Sequence, residues 1–201
     1  MRVSAGSRKE TANGGWLHVL DPDRPVAVLP PRAETPPPDW TEPTLERHRE
    51  TPRRWLADLA ASLGVTVEAL DRQRVFRIVN APWRGCAGWP MSWSTGQVVG
   101  VRVRTAEGRK VAIHGSRNGL FLPSGPVPAD GPIVVCEGNT DAAAVLSVGI
   151  YAIGRPSCVG CEHEVAALLR GRDSVAVLAD ADGPGLEGAK ALATLLSLHV
   201  G

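Results

Sequence analysis

No run of apolar residues in this 201-residue chain approaches the ~20 needed to span a bilayer. The opening "MRVSAGSRKE" lacks the hydrophobic stretch of a signal peptide. A cytoplasmic location is the expectation by default. Cysteine is scarce: Cys86, Cys136, Cys158 and Cys161 cannot form a disulfide framework for a chain of this length. Cys136 lies inside a predicted buried strand and reads as a small apolar residue. Cys158 and Cys161 form a C-x-x-C with His163 close by. A structural zinc site takes four ligands and there is no second C-x-x-C, so a metal or redox role is the minor alternative for the pair.

Strong net charge is also missing, at +1 overall. The charge is nonetheless unevenly distributed. From Arg72 to Arg117 there are nine Lys or Arg against one acid, Glu107. Most acids lie elsewhere. A positive block beside a separate acidic cluster suits a polyanion held near metal-binding carboxylates. The hydrophobic fraction of 43% with 21% charged residues is that of a globular chain with a core.

Four segments are predicted. Residues 1–45 form an extended, Pro-rich tail, with eight prolines between 21 and 45 and none of the patterning of helix or sheet. Residues 46–72 form a small helical element. There Thr51 reads as an N-cap, Pro52 as the first helical residue and Gly64 as the stop, with Trp55, Leu56, Leu59 and Leu63 on one face. A short helix from Thr66 to Asp71 follows. Residues 73–126 form a basic β-rich subdomain built on "RVFRIV", "GQVVGVRVRT" and "RKVAIHG". In it Val99, Val101 and Val103 point one way while Arg102 and Arg104 point the other. Trp83, Trp89 and Trp93 fall between strands; such residues fill small cores more often than they stack on bases.

Residues 127–201 alternate β-α-β-α-β-α. The strands are "IVVCE" (133–137), "IYAIG" (150–154) and "SVAVLA" (174–179), with helices at 141–148, 162–169 and 186–198. Apolar strands alternating with helices imply a parallel sheet covered on both faces. Ligands gather at the carboxyl ends of such strands. Glu137 ends the first strand, ahead of Gly138; Asp180 ends the third, and Asp182 lies two residues beyond. Asp141, at the start of the first helix, is a secondary candidate, for which an N-terminal dipole role competes. Converging carboxylates repel one another unless a cation sits among them. Oxygen donors without Cys or His favour Mg²⁺ or Mn²⁺, and Mg²⁺ on a few carboxylates takes phosphates as further ligands.

The stretch "IVVCEGNTDAAAVLSVG" followed by "VAVLADADGPGLEGAKALA" resembles the Toprim domain, shared by bacterial-type primases, type IA and II topoisomerases, OLD-family nucleases and recombination-mediator proteins. The form "EGNTDA…DADGPG" is most similar to primases, including those fused to phage-type helicases. "GWPMSWSTGQVVGVRVRTAEGRKVAIHGSRNGLFLP" is similar to the basic half that precedes Toprim in primase catalytic cores, and the two matches together cover about residues 75–198. "GGWLHVL" resembles the tail of a zinc-ribbon module, without its ligands. The resemblance implies a Toprim-like α/β fold in which Glu137 transfers protons or binds metal, and Asp180 and Asp182 hold Mg²⁺. It also implies that Lys110 and Arg117, with Arg102 and Arg104 behind them, contact template and nucleotide. Primases carry further acidic ligands beyond the Asp-x-Asp strand, so it implies a core truncated at its C-terminus.

The function so implied is Mg²⁺-dependent joining of ribonucleotides on a single-stranded DNA template during replication, with a replicative helicase as a further candidate partner. A Toprim nuclease and a non-catalytic nucleic-acid-binding module are the alternatives.

Overall fold

The computed structural model describes residues 7–10, 16–18, 38–172 and 174–198. Two compact units divide at Pro36 and Pro37. In the first, β1 (Ser7–Glu10) pairs antiparallel with β2 (Trp16–His18). The Pro-rich stretch from 19 to 37 lies outside the described residues, so the extended reading of it stays an expectation.

The second unit begins with three helices: α1 (Thr41–Arg49), α2 (Arg53–Leu63) and α3 (Val67–Arg72). The first starts within the segment read as extended to residue 45. Pro43 is compatible with it because the first helical turn has no intrahelical use for its N–H. Asp39 Oδ1 meets one of the orphan donors by accepting from Thr41 N at 2.9 Å. Thr51 does not cap α2: Pro52 holds that position. The Thr51 hydroxyl instead donates to Arg47 O at 2.8 Å and accepts from Arg77 N at 3.0 Å. Gly64 stops α2 in the left-handed conformation, with φ at 68°, and Thr66 caps α3 by accepting from Ala69 N at 3.2 Å.

An antiparallel sheet follows, in the order β3 (Phe76–Arg77), β4 (Ala87–Ser92), β5 (Val98–Arg104), β6 (Lys110–Ala112). Strand β4 replaces the loop expected around the tryptophans. Its sequence "AGWPMS" shows no alternation because all six residues are buried. Trp89 has no exposed surface, which decides for core over base stacking. On β5, Val99, Val101 and Val103 are buried while Arg102 and Arg104 are half-exposed.

The parallel sheet is β8-β7-β9, with β7 (Ile133–Cys136) central, β8 (Tyr151–Gly154) and β9 (Val175–Leu178). Helix α4 (Asn139–Ser147) packs on one face, while α5 (Glu162–Leu168) and α6 (Gly183–Ser197) pack on the other. This is the expected α/β arrangement with one exception. At β9 only Val175 and Val177 are covered, and Ala176 and Leu178 on the α4 side are exposed, because α4 lies over β7 and β8. Helix α6 also starts earlier than expected, the Gly-Pro-Gly run forming its first turn. Asp182 Oδ1 caps it by accepting from Gly185 N at 2.7 Å, and Pro184 sits where no amide is needed. Its buried residues Gly185, Gly188, Leu192 and Leu196 recur on one face.

Residues Leu120 and Phe121 join the two sheets. Leu120 bridges to Ser92 at the end of β4, and Phe121 bridges to Gly154 on β8. Below this seam, one core cluster draws Leu56 and Ala60 of α2, Leu70 of α3, Trp89 and Met91 of β4 and Ala142, Ala143 and Leu146 of α4 into contact. Leu70 has no exposed surface. Leu70→Ala is expected to cost about 2–5 kcal/mol, because the surrounding elements cannot collapse into the space it leaves. A urea titration followed by tryptophan fluorescence checks this, and a loss below about 1 kcal/mol would show the cluster to be pliable.

Candidate functional site

The strand register places the acids. Cys136 on β7 is level with Leu178 on β9, so Glu137 and Ala179 leave the sheet side by side, and Asp180 follows one residue on. Adjacent parallel strands lie ~4.8 Å apart. Glu137, Arg155, Cys158, Ala179 and Gly185 line one small cavity of about 10 Å³. Gly185 is wedged against both aspartates: a Cβ there would stand 2.8 Å from Asp180 O and 2.9 Å from Asp182 Oδ1. The trio read from sequence therefore shares one edge of the sheet.

Their environments differ. Glu137 is half-buried, whereas Asp180 and Asp182 are exposed. Asp182 divides its carboxylate, with Oδ1 engaged in capping α6. Among the described residues, no three His, Cys, Asp or Glu side chains gather closely enough to hold one ion. Mg²⁺ does not require such a cage. It is commonly held by one or two carboxylates, with water and substrate phosphates completing its shell. The hard oxygen donors of Asp180 and Asp182 suit that mode of binding.

Gly138 makes the turn between Glu137 and α4. Its φ is +133°, and a Cβ there would stand 2.7 Å from Asp141 Oδ2 and 3.7 Å from Lys110 Nζ. A side chain at this position would meet both steric and conformational resistance. Those two contacts also show that Asp141 and Lys110 flank the same turn. Lys110 belongs to β6, where it is opposite Arg104 on β5, and Arg102 is opposite Ala112. The basic strands thus bring Lys110 to the carboxylate edge, with Arg102 and Arg104 further along the same face.

Arg102 is partly desolvated, which pushes its guanidinium below the usual arginine value. Its Nη2 donates to Asn118 Oδ1 at 3.3 Å. Among the described residues no carboxylate lies within ion-pair reach of Arg102, Arg104 or Lys110. Arg104 lines an open groove of about 810 Å³ with Arg84, Arg109, Trp55 and Trp83. Arg117 is exposed on the segment after β6, its N–H bonded to Val99 O at 2.9 Å.

Two residues of this region were not singled out from sequence. Arg155 follows β8 and is 3% exposed. It donates through Nε to Gly160 O at 3.2 Å and through Nη2 to Cys158 O at 2.8 Å and Glu162 Oε1 at 3.0 Å. The loop carrying Cys158 and Cys161 is thus wrapped around a guanidinium, and both cysteines are free thiols. Its position just beyond a parallel strand was the available sequence signal. Gln73 carried no signal at all. Cys136 is a core residue, its thiol pushed up to about 12, first by burial and then by the Asp141 carboxylate.

No protein-family model matches the chain, and no curated protein matches it. Solved structures do. The Aquifex aeolicus primase (zinc-binding and RNA polymerase domains) is 16% identical, with 79% of this chain covering 51% of that one at a TM-score of 0.61. The primase fragment of the bacteriophage T7 primase-helicase protein is 16% identical, with 68% covering 59% at 0.51. The DnaG primase catalytic domain bound to ssDNA is 16% identical, with 75% covering 65% at 0.50. The likeness is one of fold: the chain has the architecture of primase catalytic cores and spans between half and two thirds of their length.

Burial works to raise the Glu162 carboxyl, but the Gly160 and Glu162 N–H groups and Arg155 outweigh it, leaving it below its ordinary 4.5. The stability this provides is fully present above pH 4.5 and fades as pH falls through the lowered value. Glu162→Gln is expected to flatten the acid limb of stability as pH falls below 4.5. Urea midpoints across that range test it, and an unchanged acid limb would remove Glu162 from the account.

Proposed function

We propose that this protein is a primase-like nucleotidyltransferase with a Toprim-type α/β unit, acting in DNA replication. The observation that carries the reading is the juxtaposition of uncompensated charges of both signs. Glu137, Asp180 and Asp182 occupy one sheet edge, and Lys110 reaches that edge from a basic sheet. Neither set makes an ion pair among the described residues. A nucleoside triphosphate with a divalent cation complements both sets together.

In this reading the basic β-rich segment 73–126 tracks the backbone of a single-stranded DNA template through Arg102, Arg104 and Arg117. Lys110 meets the triphosphate. Asp180 and Asp182 hold Mg²⁺ (or Mn²⁺), which would polarise the α-phosphate and ease departure of pyrophosphate. Glu137 takes the proton of the attacking 3′-hydroxyl as the new 3′-O–P bond forms and the bond from the α-phosphate to its bridging oxygen breaks. Asp141 orients the turn that carries Glu137. The helical element 46–72 packs the core and takes no part in the chemistry. The bound ssDNA of one structural neighbour supports the template assignment, and the primase-helicase identity of another supports a replicative helicase as partner. Such chemistry belongs in the cytoplasm. Among the described residues no helix is long and apolar enough to cross a membrane.

Synthesis of short RNA on single-stranded DNA from ribonucleotides, with and without Mg²⁺, tests the reading. Asp180→Asn and Glu137→Gln are each expected to lower the rate by about 10²–10⁴. Shortened template strands instead of primers would replace the reading with the nuclease. Binding without either product, indifferent to both substitutions, would replace it with the non-catalytic module. Separately, Arg102→Ala is expected to weaken ssDNA binding evenly across sequences and to shrink the log–log salt slope by about 0.7. Fluorescence anisotropy from low to moderate salt measures this, and an unaltered slope would show that Arg102 meets no phosphate.

A further inference from the structure

We propose that Gln73 is a positioning residue, whose buried amide sets where the β7–α4 turn stands relative to the basic sheet. What it positions the turn for rests on the function proposed above. Gln73 is 3% exposed, at the C-terminal end of α3. Its Oε1 accepts from Trp89 Nε1 at 3.0 Å, and its Nε2 donates to the backbone oxygen of Asn139 at 3.0 Å. Trp89 is fully buried in β4, directly opposite Arg102 in the ladder. Asn139 opens α4, two residues after Glu137 and two before Asp141. One side chain therefore links the strand pair bearing Arg102 to the turn bearing the carboxylates.

The chemistry of the partners fixes how the amide lies. An indole N–H can only donate and a backbone carbonyl can only accept, so the oxygen of Gln73 must face Trp89 and its nitrogen Asn139. Both bonds are made out of contact with water, where a made bond is strong and a lost one leaves a costly orphan. Gly138 occupies the N-cap position of α4 without a side chain to offer, and Asn139 Nδ2 is buried with no hydrogen-bond partner. The bond from Gln73 meets neither of these donor groups; it ties the first turn sideways through the Asn139 carbonyl. Apolar contacts among Leu56, Leu70, Ala142 and Ala143 hold the layers together, but such contacts are non-directional and resist sliding weakly. Two directional bonds on one rigid amide define distance and angle together.

The test compares Gln73→Met with Trp89→Phe in the full chain. Methionine keeps the length and deletes both bonds. Phenylalanine removes more buried volume yet leaves the bond from Gln73 to Asn139 intact. Gln73→Met is expected to speed amide hydrogen exchange over residues 139–142 about tenfold, normalised to β5 amides. Mn²⁺ affinity, followed by electron paramagnetic resonance, is expected to stay unchanged, because Asp180 and Asp182 lie beyond β9 and outside the turn that Gln73 holds. The turnover rate of primer synthesis falls about tenfold while ssDNA affinity stays unchanged. Trp89→Phe lowers the melting temperature more and disturbs residues 139–142 less. If exchange at 139–142 instead follows melting temperature across both variants, or if Gln73→Met leaves it unchanged, Gln73 is packing and the proposal is overturned. Should the methionine variant not fold, Gln73→Glu, which keeps the acceptor for Trp89 and loses the donor to Asn139, decides on the same readouts. An unsubstituted chain that neither binds Mn²⁺ nor makes primers overturns the proposed function; the exchange comparison still decides the role of Gln73.

Discussion

The structure depends on a narrow seam between two sheets of opposite character. Phe121 and Gly154 exchange both backbone hydrogen bonds, at 2.8 and 3.0 Å. Gly154 can sit there only because it lacks a Cβ, which would overlap the Gly138 carbonyl and press on Phe121. That contact brings three chain segments together: the strand segment leaving the basic sheet, the end of β8, and the turn after β7. Once they meet, Lys110 on β6 and Glu137, just past the end of β7, have little freedom to separate. Everything that a ligand could recognise at this edge follows from the closeness of the seam.

The charge arrangement gains meaning from that geometry. Elsewhere the chain pairs its charges in the ordinary way, as in Arg53 with Asp71 at 2.9 Å and Arg47 with Glu50 at 2.8 Å. Arg155 is buried and satisfied by two carbonyls and Glu162. At the sheet edge the rule is not followed. Lys110 lies beside Gly138, yet among the described residues it makes no ion pair with Glu137, Asp180 or Asp182. Such an arrangement repels itself on each side and is relieved by a ligand bearing both signs. Surface ion pairs contribute little to stability, so leaving these charges unpaired costs the fold little.

Arg155 and Gln73 illustrate two ways of supporting a site from beneath. The guanidinium of Arg155 gathers the 156–161 loop, and Cys158 of that loop packs closely on Gly188 of α6. The helix capped by Asp182 is thereby steadied from its far side. Gln73 acts across the seam instead, between α3, β4 and α4. Neither Gln73 nor Arg155 is close in sequence to the carboxylates it supports, and each combines a bond to a backbone carbonyl, which any residue supplies, with a bond to a side chain, Trp89 for Gln73 and Glu162 for Arg155.

Much of the α/β unit was legible in the sequence, because its signals are local. Apolar runs of four or five residues ended by glycine mark β7 and β8, and Glu137 and Asp180 at strand ends needed only the rule that parallel strands deliver ligands at their carboxyl termini. The alternation Val99, Val101, Val103 against Arg102 and Arg104 declared a two-faced strand. Where the reading failed, the deciding force was not local. Strand β4 carries Pro90 and no alternation, since burial on both sides erases the pattern. Helix α1 was hidden by Pro43, which the first turn accommodates. The uncovered side of β9 followed from where α4 lies. Sequence alone determined which residues carry charge and which strands they end, because covalent order and side-chain periodicity require no partner. Tertiary structure alone decided that Lys110 stands beside Gly138, and that Gln73 spans from Trp89 to Asn139. Those distances arise from packing between segments that the chain keeps dozens of residues apart.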